Sequence, residues 1–308
     1  MAIATNDRMA RLWTLDGTVA REVLVVSGHS ASLQRVRFHP HEPSWLCTAA
    51  SDSTVRLWDC RLATQKSLGR IGLSSSAADV AWCNSHGSSS IFAVTENDGS
   101  VHVYDMRKLS GSSSTGGPLF SYTLKPSLVE TCIFSPASHH LVAATTSQDD
   151  NSEICIWKWK QENNGGSSSS LTTPDTISYP AHTGPIYSLA FSPDGNRLAT
   201  GGSDAIVGVW DAKHLVCTHT ISRNTKFTRS VSFSHDSKLL ASSAEEGGID
   251  VALAETGELV GKVELSRPKG GGADEIAFHP KSHLLACARC GTQGNSPVTV
   301  AKLSLVTS

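Results

Sequence analysis

A repeat of about 45 residues runs along this chain, and it limits the possible folds more than any other feature. In each copy a short alternation of apolar and polar residues follows an acidic turn and ends in an aromatic residue. The intervals between these aromatics are 45, 46, 53 and 53 residues, and each longer interval holds an eight-residue Ser/Gly-rich insert, at 110–117 or 163–170. Without the inserts every interval is close to 45, so we interpret the inserts as loops. The closing aromatics are Trp13, Trp58, Tyr104, Trp157 and Trp210.

The rest of each repeat consists of further alternating segments separated by turns. Examples are LQRVRF at 33–38, YSLAF at 187–191 and RSVSF at 229–233, each followed by a second apolar segment. A period of two over five to seven residues indicates half-buried strands, and no stretch of ten or more residues has helical periodicity. The sequence therefore predicts an all-β protein built from four-stranded units.

Two of the units end in Trp-Asp, at Trp58 and at Trp210. A unit of this length with four strands and this ending resembles the blade of WD-repeat propellers, and the chain is similar to that family along its whole length. The resemblance implies one propeller over 1–308, with seven blades at about 1–28, 29–72, 73–125, 126–180, 181–222, 223–266 and 267–308.

Counting strands against the family pattern indicates that the first and last blades are partial. The first blade lacks its inner strand, and the last lacks the outer strand that an N-terminal segment usually supplies. An open sheet edge is an aggregation liability. We therefore expect either a truncated or mispredicted N-terminus or a strand contributed by a partner.

The family pattern also implies a buried hydrogen-bonded set of His, Ser or Thr, Asp and Trp in a blade. Such polar groups are tolerated in a core when they satisfy one another. A catalytic triad is the alternative interpretation, but the recurrence of the set at repeat spacing favours a structural role. Two repeats match in full, with His29, Thr48, Asp52 and Trp58 in one and His182, Thr200, Asp204 and Trp210 in the other.

Composition excludes several functional classes. The 308 residues carry 26 basic and 28 acidic side chains, so no global basic excess attracts nucleic acid or an anionic membrane. No apolar run is long enough for a membrane span, and no export signal is readable. Eight cysteines, spread almost one per repeat, favour free thiols in a reducing compartment. We expect an intracellular protein that makes no membrane contact.

Catalytic and metal chemistry find little support in the residue patterns. His279, His283, Cys287 and Cys290 are zinc-binding residue types, but the repeat places the histidines at a turn and the cysteines on opposite faces of a strand. No glycine-rich phosphate loop precedes a helix, and no titratable groups converge in the first strands of the repeats. We therefore expect no enzyme activity, no metal, no cofactor and no small-molecule substrate.

Two short motifs are candidate partner surfaces. The Ser/Gly-rich stretches at 84–90, 110–117 and 163–170 are poor docking surfaces, because such segments do not order themselves. The first motif is a basic loop that enters the sixth blade and contains an aromatic residue. It is suited to binding an acidic segment of a partner or single-stranded RNA. A solvated loop without a partner is the simpler interpretation. The residues of the basic loop are Arg223, Lys226, Phe227 and Arg229.

The second motif is WDCR at 58–61, with its echo YDMR at 104–107. Both are similar to the Trp-Asp-x-Arg box by which some WD-repeat proteins dock onto the adaptor of cullin-RING ubiquitin ligases. Arginine in such a loop is also unexceptional in propellers without that function. The residues concerned are Trp58, Asp59, Arg61, Tyr104, Asp105 and Arg107.

Atypical features of residues 181–259 narrow the resemblance. The SDAIVGVWD turn, the LVC after it, SFSHD, and IDVALAETGEL in place of a Trp-Asp ending look like the WD-repeat subunit of the THO complex. That resemblance implies a non-catalytic subunit of a nuclear assembly that couples transcription to messenger-ribonucleoprotein packaging and export within the TREX complex. Its partners would be the large THO subunits and other TREX components, with RNA contacted indirectly. The box motif leaves a cullin-RING substrate receptor as the alternative.

Overall fold

The computed structural model describes residues 1–4, 7–16, 19–62, 67–84, 90–109, 117–124, 128–138, 140–147, 149, 151–158, 175–245, 247–265, 273–288 and 298–302. Residues 85–89, 110–116 and 163–170, which make up most of the three Ser/Gly-rich stretches, lie outside these ranges. Apart from a single 3-10 turn at Met106–Lys108, every regular element in the described residues is a β-strand. The prediction of an all-β protein is confirmed.

Five sheets have four strands each, and within each sheet the strands pair in chain order. The first strand of a sheet pairs with the second through an antiparallel register that shifts near its start, at a bulge. The first of these sheets along the chain contains β4 (Leu33–Phe38), β5 (Trp45–Ala50), β6 (Thr54–Asp59) and β7 (Gly69–Gly72). The second contains β8 (Ala77–Trp82), β9 (Ile91–Glu96), β10 (Ser100–Asp105) and β11 (Phe120–Thr123). The third contains β12 (Leu128–Phe134), β13 (Leu141–Thr146), β14 (Ser152–Lys158) and β15 (Asp175–His182).

The remaining two four-stranded sheets follow directly along the chain. One contains β16 (Ile186–Phe191), β17 (Arg197–Gly202), β18 (Val207–Asp211) and β19 (Val216–Ile221), and the other β20 (Thr228–Phe233), β21 (Leu239–Ala244), β22 (Ile249–Leu253) and β23 (Leu259–Val263). A sheet with three described strands lies at each end of the chain. These strands are β1 (Ala2–Ala4), β2 (Met9–Asp16) and β3 (Val19–Ser27), and β24 (Glu275–Phe278), β25 (Leu284–Ala288) and β26 (Val298–Lys302).

The chain divides into two compact units. The N-terminal unit is Ala2–Arg11 with Leu24–Pro180, and the C-terminal unit is Met1, Leu12–Val23 and Ala181–Ser308. Each of six sheets belongs to a single unit, except that the last two residues of β15 are assigned to the other unit. The strands of the sheet β1 to β3 are divided between the units. The predicted count of seven blades is therefore not confirmed for the described residues. The repeat that ends at Trp13 was counted as one of the seven predicted blades, but its strands do not form a sheet within one unit.

Hydrophobic cores fill the space between consecutive sheets of a unit. Phe92 and Leu57 contribute to the core between the sheets of β4 and β8, and Trp157 to the core between those of β8 and β12. In the C-terminal unit Phe233 packs between the sheets of β16 and β20. Because removal of apolar surface from water is the main favourable contribution to folding, each sheet depends on its neighbour for its core.

Polar side chains also tie the first strands of consecutive sheets together in the C-terminal unit. In each case a serine hydroxyl on the first strand of one sheet accepts a backbone N–H from the first strand of the next sheet. The bond satisfies a backbone donor at the edge of that next sheet. The bonds run from Val231 N to Ser188 Oγ at 3.1 Å, from Ile276 N to Ser230 Oγ at 3.2 Å, and from Phe278 N to Ser232 Oγ at 3.0 Å.

Candidate interaction sites

The first tetrad is a continuous hydrogen-bonded chain inside the sheet β4 to β7. Asp52 Oδ2 lies 3.0 Å from His29 Nδ1, and His29 Nε2 lies 2.8 Å from Thr48 Oγ1. Trp58 then donates its indole N–H to the same Thr48 oxygen at 2.8 Å. The chain therefore joins the loop before β4, strand β5, the turn after it and strand β6.

Protonation in this tetrad follows from its geometry and burial. Burial lowers the pKa of His29, so the neutral imidazole is favoured, with its Nδ1 proton on the Asp52 side. Burial alone would raise the pKa of Asp52, but hydrogen bonds from Thr54, Ser30 and His29 outweigh it and lower the pKa to about 2. The set is thus an ionised carboxylate beside a neutral histidine. Both ring nitrogens are engaged, and the arrangement is structural.

The second tetrad repeats the same contacts in the sheet β16 to β19. His182 lies 2.9 Å from Asp204 Oδ2 through Nδ1 and 2.7 Å from Thr200 Oγ1 through Nε2, and Trp210 donates to Thr200 at 3.1 Å. Gly208 makes room for this set, because a Cβ there would lie 2.8 Å from Thr200 Oγ1 and 2.9 Å from the Trp210 indole nitrogen. This glycine is therefore part of the packing of the tetrad.

A different polar set occupies the sheet β8 to β11, where the closing aromatic is Tyr104. Glu96 is fully buried and accepts the Ser74 hydroxyl at 2.8 Å and the Ser75 backbone N–H at 2.6 Å. Its other oxygen lies 2.9 Å from His102 Nε2. Burial raises the pKa of Tyr104 to about 12, and the Glu96 charge adds to the effect. Glu96 thus anchors the loop before β8 to the sheet, as the tetrad does elsewhere.

A buried carboxylate links the first strands of three sheets in the N-terminal unit. Asp79 Oδ2 on β8 accepts the Thr131 hydroxyl at 2.6 Å and the Cys132 backbone N–H at 3.2 Å, both from β12. Arg35 on β4 lies 3.4 Å from the other oxygen. Burial raises the pKa of nearby Glu130, although the Arg35 charge opposes the shift.

The expectation that no titratable groups converge in the first strands is therefore wrong for this unit. The repeat comparison aligns apolar positions, and it does not show which polar positions of neighbouring blades meet. Both Asp79 oxygens are engaged, since Oδ1 also accepts the Val80 backbone N–H of its own strand at 2.7 Å. This pattern is that of a structural tie between strands.

The predicted basic loop is partly neutralised by its own unit. Arg223 donates to Asp250 Oδ2 at 3.4 Å and to the Gly257 carbonyl at 2.9 Å, so its guanidinium is held against the sheet β20 to β23. Arg229 pairs with Glu245 at 2.8 Å. Lys226 is exposed. The cluster therefore presents less positive charge than its sequence indicates.

An aromatic pair surrounds Arg229 and defines what we call the aromatic–basic patch, formed by Tyr187, Lys226, Phe227 and Arg229. The guanidinium carbon lies 5.0 Å from the Tyr187 ring centre and 5.8 Å from that of Phe227, within the range of cation–π attraction. The two rings are 6.2 Å apart. Phe227 is 41% exposed, which leaves a large apolar face at the surface. Tyr187 was not singled out from the sequence, because its place beside the loop depends on the pairing of consecutive sheets.

The box motif has the same geometry in both copies. Arg61 forms a bidentate pair with Asp59, at 2.9 Å from Nε and 2.6 Å from Nη2, and Arg107 pairs with Asp105 at 3.1 and 2.8 Å. Both arginine side chains are about two-thirds exposed, at 69% and 67%. Trp58 and Tyr104 are buried. Each arginine therefore folds back over the turn that its own aspartate starts.

Comparison with known proteins finds WD repeats in two segments of this chain. The WD domain, G-beta repeat family matches residues 20–59 and 174–211, and each matched segment contains one complete tetrad. THO complex subunit 3 of Arabidopsis thaliana is 26% identical over 300 residues, which are 94% of this chain and 82% of that protein. This chain contains WD repeats and is similar to THO complex subunit 3. The four-stranded sheets that hold the two matched segments are of the WD-repeat type.

Similarity extends to further proteins. WD repeat-containing protein AAC3 of Dictyostelium discoideum is 25% identical over 87% of this chain and 50% of that protein. Eukaryotic translation initiation factor 3 subunit I of Culex quinquefasciatus is 25% identical over 76% of this chain and 71% of that protein. The WD-repeat framework itself is thus shared with proteins of different complexes.

Two further features of this WD-repeat protein bear on the sequence-based expectations. The helices of the described residues include none long and apolar enough to cross a bilayer. Five of the cysteines within the described ranges, Cys47, Cys60, Cys132, Cys155 and Cys217, are free thiols. Burial raises the pKa of the Cys47 and Cys132 thiols well above the ordinary value. Such thiols stay protonated and unreactive.

The four residues considered as zinc ligands do not form a common site in the described part of this WD-repeat protein. His279 and His283 lie in the turn before β25 and Cys287 lies on that strand, while Cys290 lies outside the described residues. His279 Nδ1 is used within its own turn, where it accepts the Lys281 backbone N–H at 3.1 Å. His283 instead faces Asp236 of the preceding sheet, at 3.3 Å.

Proposed function

We propose that this protein is a non-catalytic scaffold subunit of a THO-type complex in the nucleus. The observation that carries the proposal is the similarity to THO complex subunit 3, because it spans nearly the whole chain and most of that protein. In this role the protein acts within the TREX assembly, which couples transcription to messenger-ribonucleoprotein assembly and export. The partners are the large THO subunits and other TREX components, and the whole of 1–308 acts as a single propeller domain.

The polar architecture supports a scaffold. Buried ionisable groups such as Asp52, Asp79 and Glu96 are each held by donors from neighbouring strands or loops. Groups committed in this way stabilise a rigid platform and are not poised for proton transfer. A preformed platform loses little conformational entropy when a partner binds.

The aromatic–basic patch is the docking surface that we propose for a large THO subunit. Tyrosine, arginine and other large residues with fixed geometry dominate binding energy at protein interfaces, and here Arg229 already contacts the rings of Tyr187 and Phe227 before any partner binds. Since Arg229 is already paired with Glu245, the patch favours an apolar or mixed protein surface over the continuous negative charge of RNA. RNA is therefore contacted indirectly.

Affinity purification of the tagged full chain from nuclei, followed by mass spectrometry, tests both levels of the proposal. We expect recovery of large THO subunits, with a strong loss for Phe227→Ala and for Lys226→Glu. Val260→Ala is the matched control, because Val260 is exposed to a similar extent, 45%, on the outer strand β23 of the same unit. Absence of THO subunits from the wild-type sample would reject the proposal, and equal recovery with all three variants would reject the patch.

A substrate receptor of a cullin-RING ubiquitin ligase is the second candidate, supported by the matching geometry of Arg61 and Arg107. Both guanidinium groups are exposed, although each is satisfied by the aspartate two residues before it. In the same purification, recovery of a ligase adaptor without THO subunits, abolished by Arg61→Ala or Arg107→Ala, would favour this candidate. Tight binding of single-stranded RNA by the isolated chain at physiological salt would contradict indirect RNA contact.

A further inference from the structure

Two neighbouring turns of the C-terminal unit bring together a cluster of histidine and aspartate. One turn joins β20 to β21 and carries His235 and Asp236, and the other joins β24 to β25 and carries His283. Their sheets are consecutive and share a hydrophobic core that includes Leu239 and Leu285. The turns are therefore held side by side by the packing of the sheets beneath them.

The three side chains converge on one point. One ligand atom from each of His235, Asp236 and His283 lies within 4.8 Å of the other two. His283 Nε2 is 3.3 Å from Asp236 Oδ2, and the two imidazole rings meet edge to face with centroids 4.6 Å apart. Two ligands at about 2.0–2.1 Å from a tetrahedral zinc ion are separated by about 3.3–3.4 Å, so the His283–Asp236 distance already suits shared coordination.

Two ring nitrogens of this cluster make no hydrogen bond to the described residues, whereas both ring nitrogens of the tetrad histidines are engaged. Nδ1 of His235 and Nε2 of His283 are shielded from solvent and have no hydrogen-bond partner among the described residues. Asp236 uses Oδ1 to accept the Ser234 hydroxyl at 2.6 Å and the Lys238 backbone N–H at 3.3 Å, which leaves Oδ2 directed at His283. Two solvent-shielded nitrogens that make no hydrogen bond to the described residues, beside a fixed carboxylate oxygen, are costly without a bound group.

We propose that His235, Asp236 and His283 bind a divalent transition-metal ion, of which zinc is the representative. Two imidazoles and one carboxylate are the donor set that zinc and neighbouring metals accept, whereas calcium and magnesium require oxygen ligands. Three protein ligands leave a further position for water. The ion joins the sheet β20 to β23 to the last sheet, β24 to β26, and stabilises the position of that three-stranded sheet. This proposal does not depend on the proposed function.

The sequence did not point to this site because its ligands come from two repeats. Within one repeat, His279, His283, Cys287 and Cys290 formed the most metal-like group at close spacing. The available signal was SHD at 234–236 followed, in the next repeat, by SH at 282–283, with both segments in the turn after the first strand. Turns at equivalent places in consecutive sheets lie next to each other, as Asp194 N and Ser237 Oγ also show at 3.1 Å.

Metal titration of the purified full chain tests the proposal. Zn²⁺ affinity is measured by competition with a chromophoric chelator. Co²⁺ is used as a spectroscopic probe, because the d–d absorption of the bound ion reports coordination by nitrogen and oxygen ligands. We expect one site in the wild type and a rise in Kd of more than about tenfold for His235→Ala, Asp236→Asn and His283→Ala, since mutation even of outer partners costs about 10–100-fold in metal affinity. Circular dichroism checks that each variant is folded.

His214→Ala is the matched control, because His214 also pairs with an aspartate, Asp211, at 3.0 Å but lies exposed. The described residues place no third ligand beside this pair. The chain has 13 histidines and eight cysteines, so weak binding elsewhere is expected to be equal in all variants. A second readout is local: Zn²⁺ slows amide hydrogen exchange in peptides covering 234–238 and 279–285 in the wild type and not in His283→Ala. Equal Zn²⁺ affinity in wild type and all three site variants, or no local protection, would overturn the proposal.

Discussion

Trp58 donates its indole N–H to the Thr48 hydroxyl at 2.8 Å, across the neighbouring strands β6 and β5. The same hydroxyl lies 2.8 Å from Nε2 of His29, to which it donates when that histidine is neutral. One oxygen atom thus satisfies two buried groups, one from a strand and one from the loop before β4. The buried end of the tetrad depends on this oxygen more than on any other atom.

Thr48→Val removes that oxygen while keeping the shape of the side chain. We expect a loss in the free energy of unfolding of about 2–4 kcal/mol, because two buried polar groups lose their partner at a cost of about 1–3 kcal/mol each. Urea denaturation followed by fluorescence provides the measurement. Thr48→Ser retains the hydroxyl and is the control. A valine variant as stable as the serine variant would show that the bond contributes little.

The pH dependence of stability follows from the shifted groups of the same tetrad. A carboxyl with a pKa of about 2 in the folded state, below its usual 3.8, stabilises the fold above pH 4, and this contribution is lost as the pH falls through 2. The lowered pKa of His29 acts in the same direction from about pH 6.5 downward, because protonation then favours the unfolded chain.

Asp52→Asn is therefore expected to weaken the dependence of unfolding free energy on pH between about 4 and 2. Urea midpoints at a series of pH values give this dependence directly. Glu258→Gln removes an exposed carboxyl of the chain and serves as the comparison. If the Asp52 and Glu258 variants had the same slope as the wild type, ionised Asp52 would not be a source of folded-state stability.

A glycine at position 208 is expected to be required by the second tetrad. Gly208→Ala places a Cβ 2.8 Å from Thr200 Oγ1, so the Thr200–Trp210 bond must lengthen or the strands must shift, at a cost of about 1–3 kcal/mol. Gly261→Ala on strand β23 is the control, because a Cβ there meets no atom within 4 Å. Thermal unfolding of the two variants measures the difference. Equal melting temperatures would contradict the tight packing around Thr200.

The regular part of this architecture could be predicted because it repeats within single blades. Alternation in segments such as 187–191 and 229–233 predicts strands that the structure places at β16 and β20. The residue types of each tetrad lie within one repeat, so their contacts do not require knowledge of how blades meet. The number of complete sheets was less predictable, because it depends on the strands around Trp13, which are divided between two units.

Contacts between blades could not be predicted in the same way. Asp79 meets Thr131 of the next sheet, and His235 meets His283, across sequence separations of 52 and 48 residues. Neither pair belongs to a motif with a local spacing, and each depends on the sideways packing of complete sheets. The predicted basic loop shows the same limit, because the cations Arg223 and Arg229 were visible in the sequence and their partners Asp250 and Glu245 were not.

Asp79→Ala tests the importance of these contacts between sheets. The variant leaves Arg35, the Thr131 hydroxyl and the Cys132 N–H without their carboxylate, and we expect destabilisation of about 3–5 kcal/mol, as when one partner of a buried charge pair is removed. Asp105→Ala is the comparison, because that carboxylate is bound mainly to Arg107 and backbone within its own turn. A smaller effect at Asp79 than at Asp105 would contradict its role in linking three strands.

Arg61→Ala and Arg107→Ala are expected to leave the fold unchanged. Each guanidinium is about two-thirds exposed, and an exposed ion pair contributes little to stability, so the melting temperature should stay within about 2 °C of the wild type. Since the backbone N–H groups of residues 61 and 107 still cap Asp59 and Asp105, the turns persist without the side chains. Any loss of partner binding in these variants then reports a direct contact of the arginine. A marked fall in melting temperature would instead show that the arginines stabilise the sheets, and the box motif would have a structural explanation.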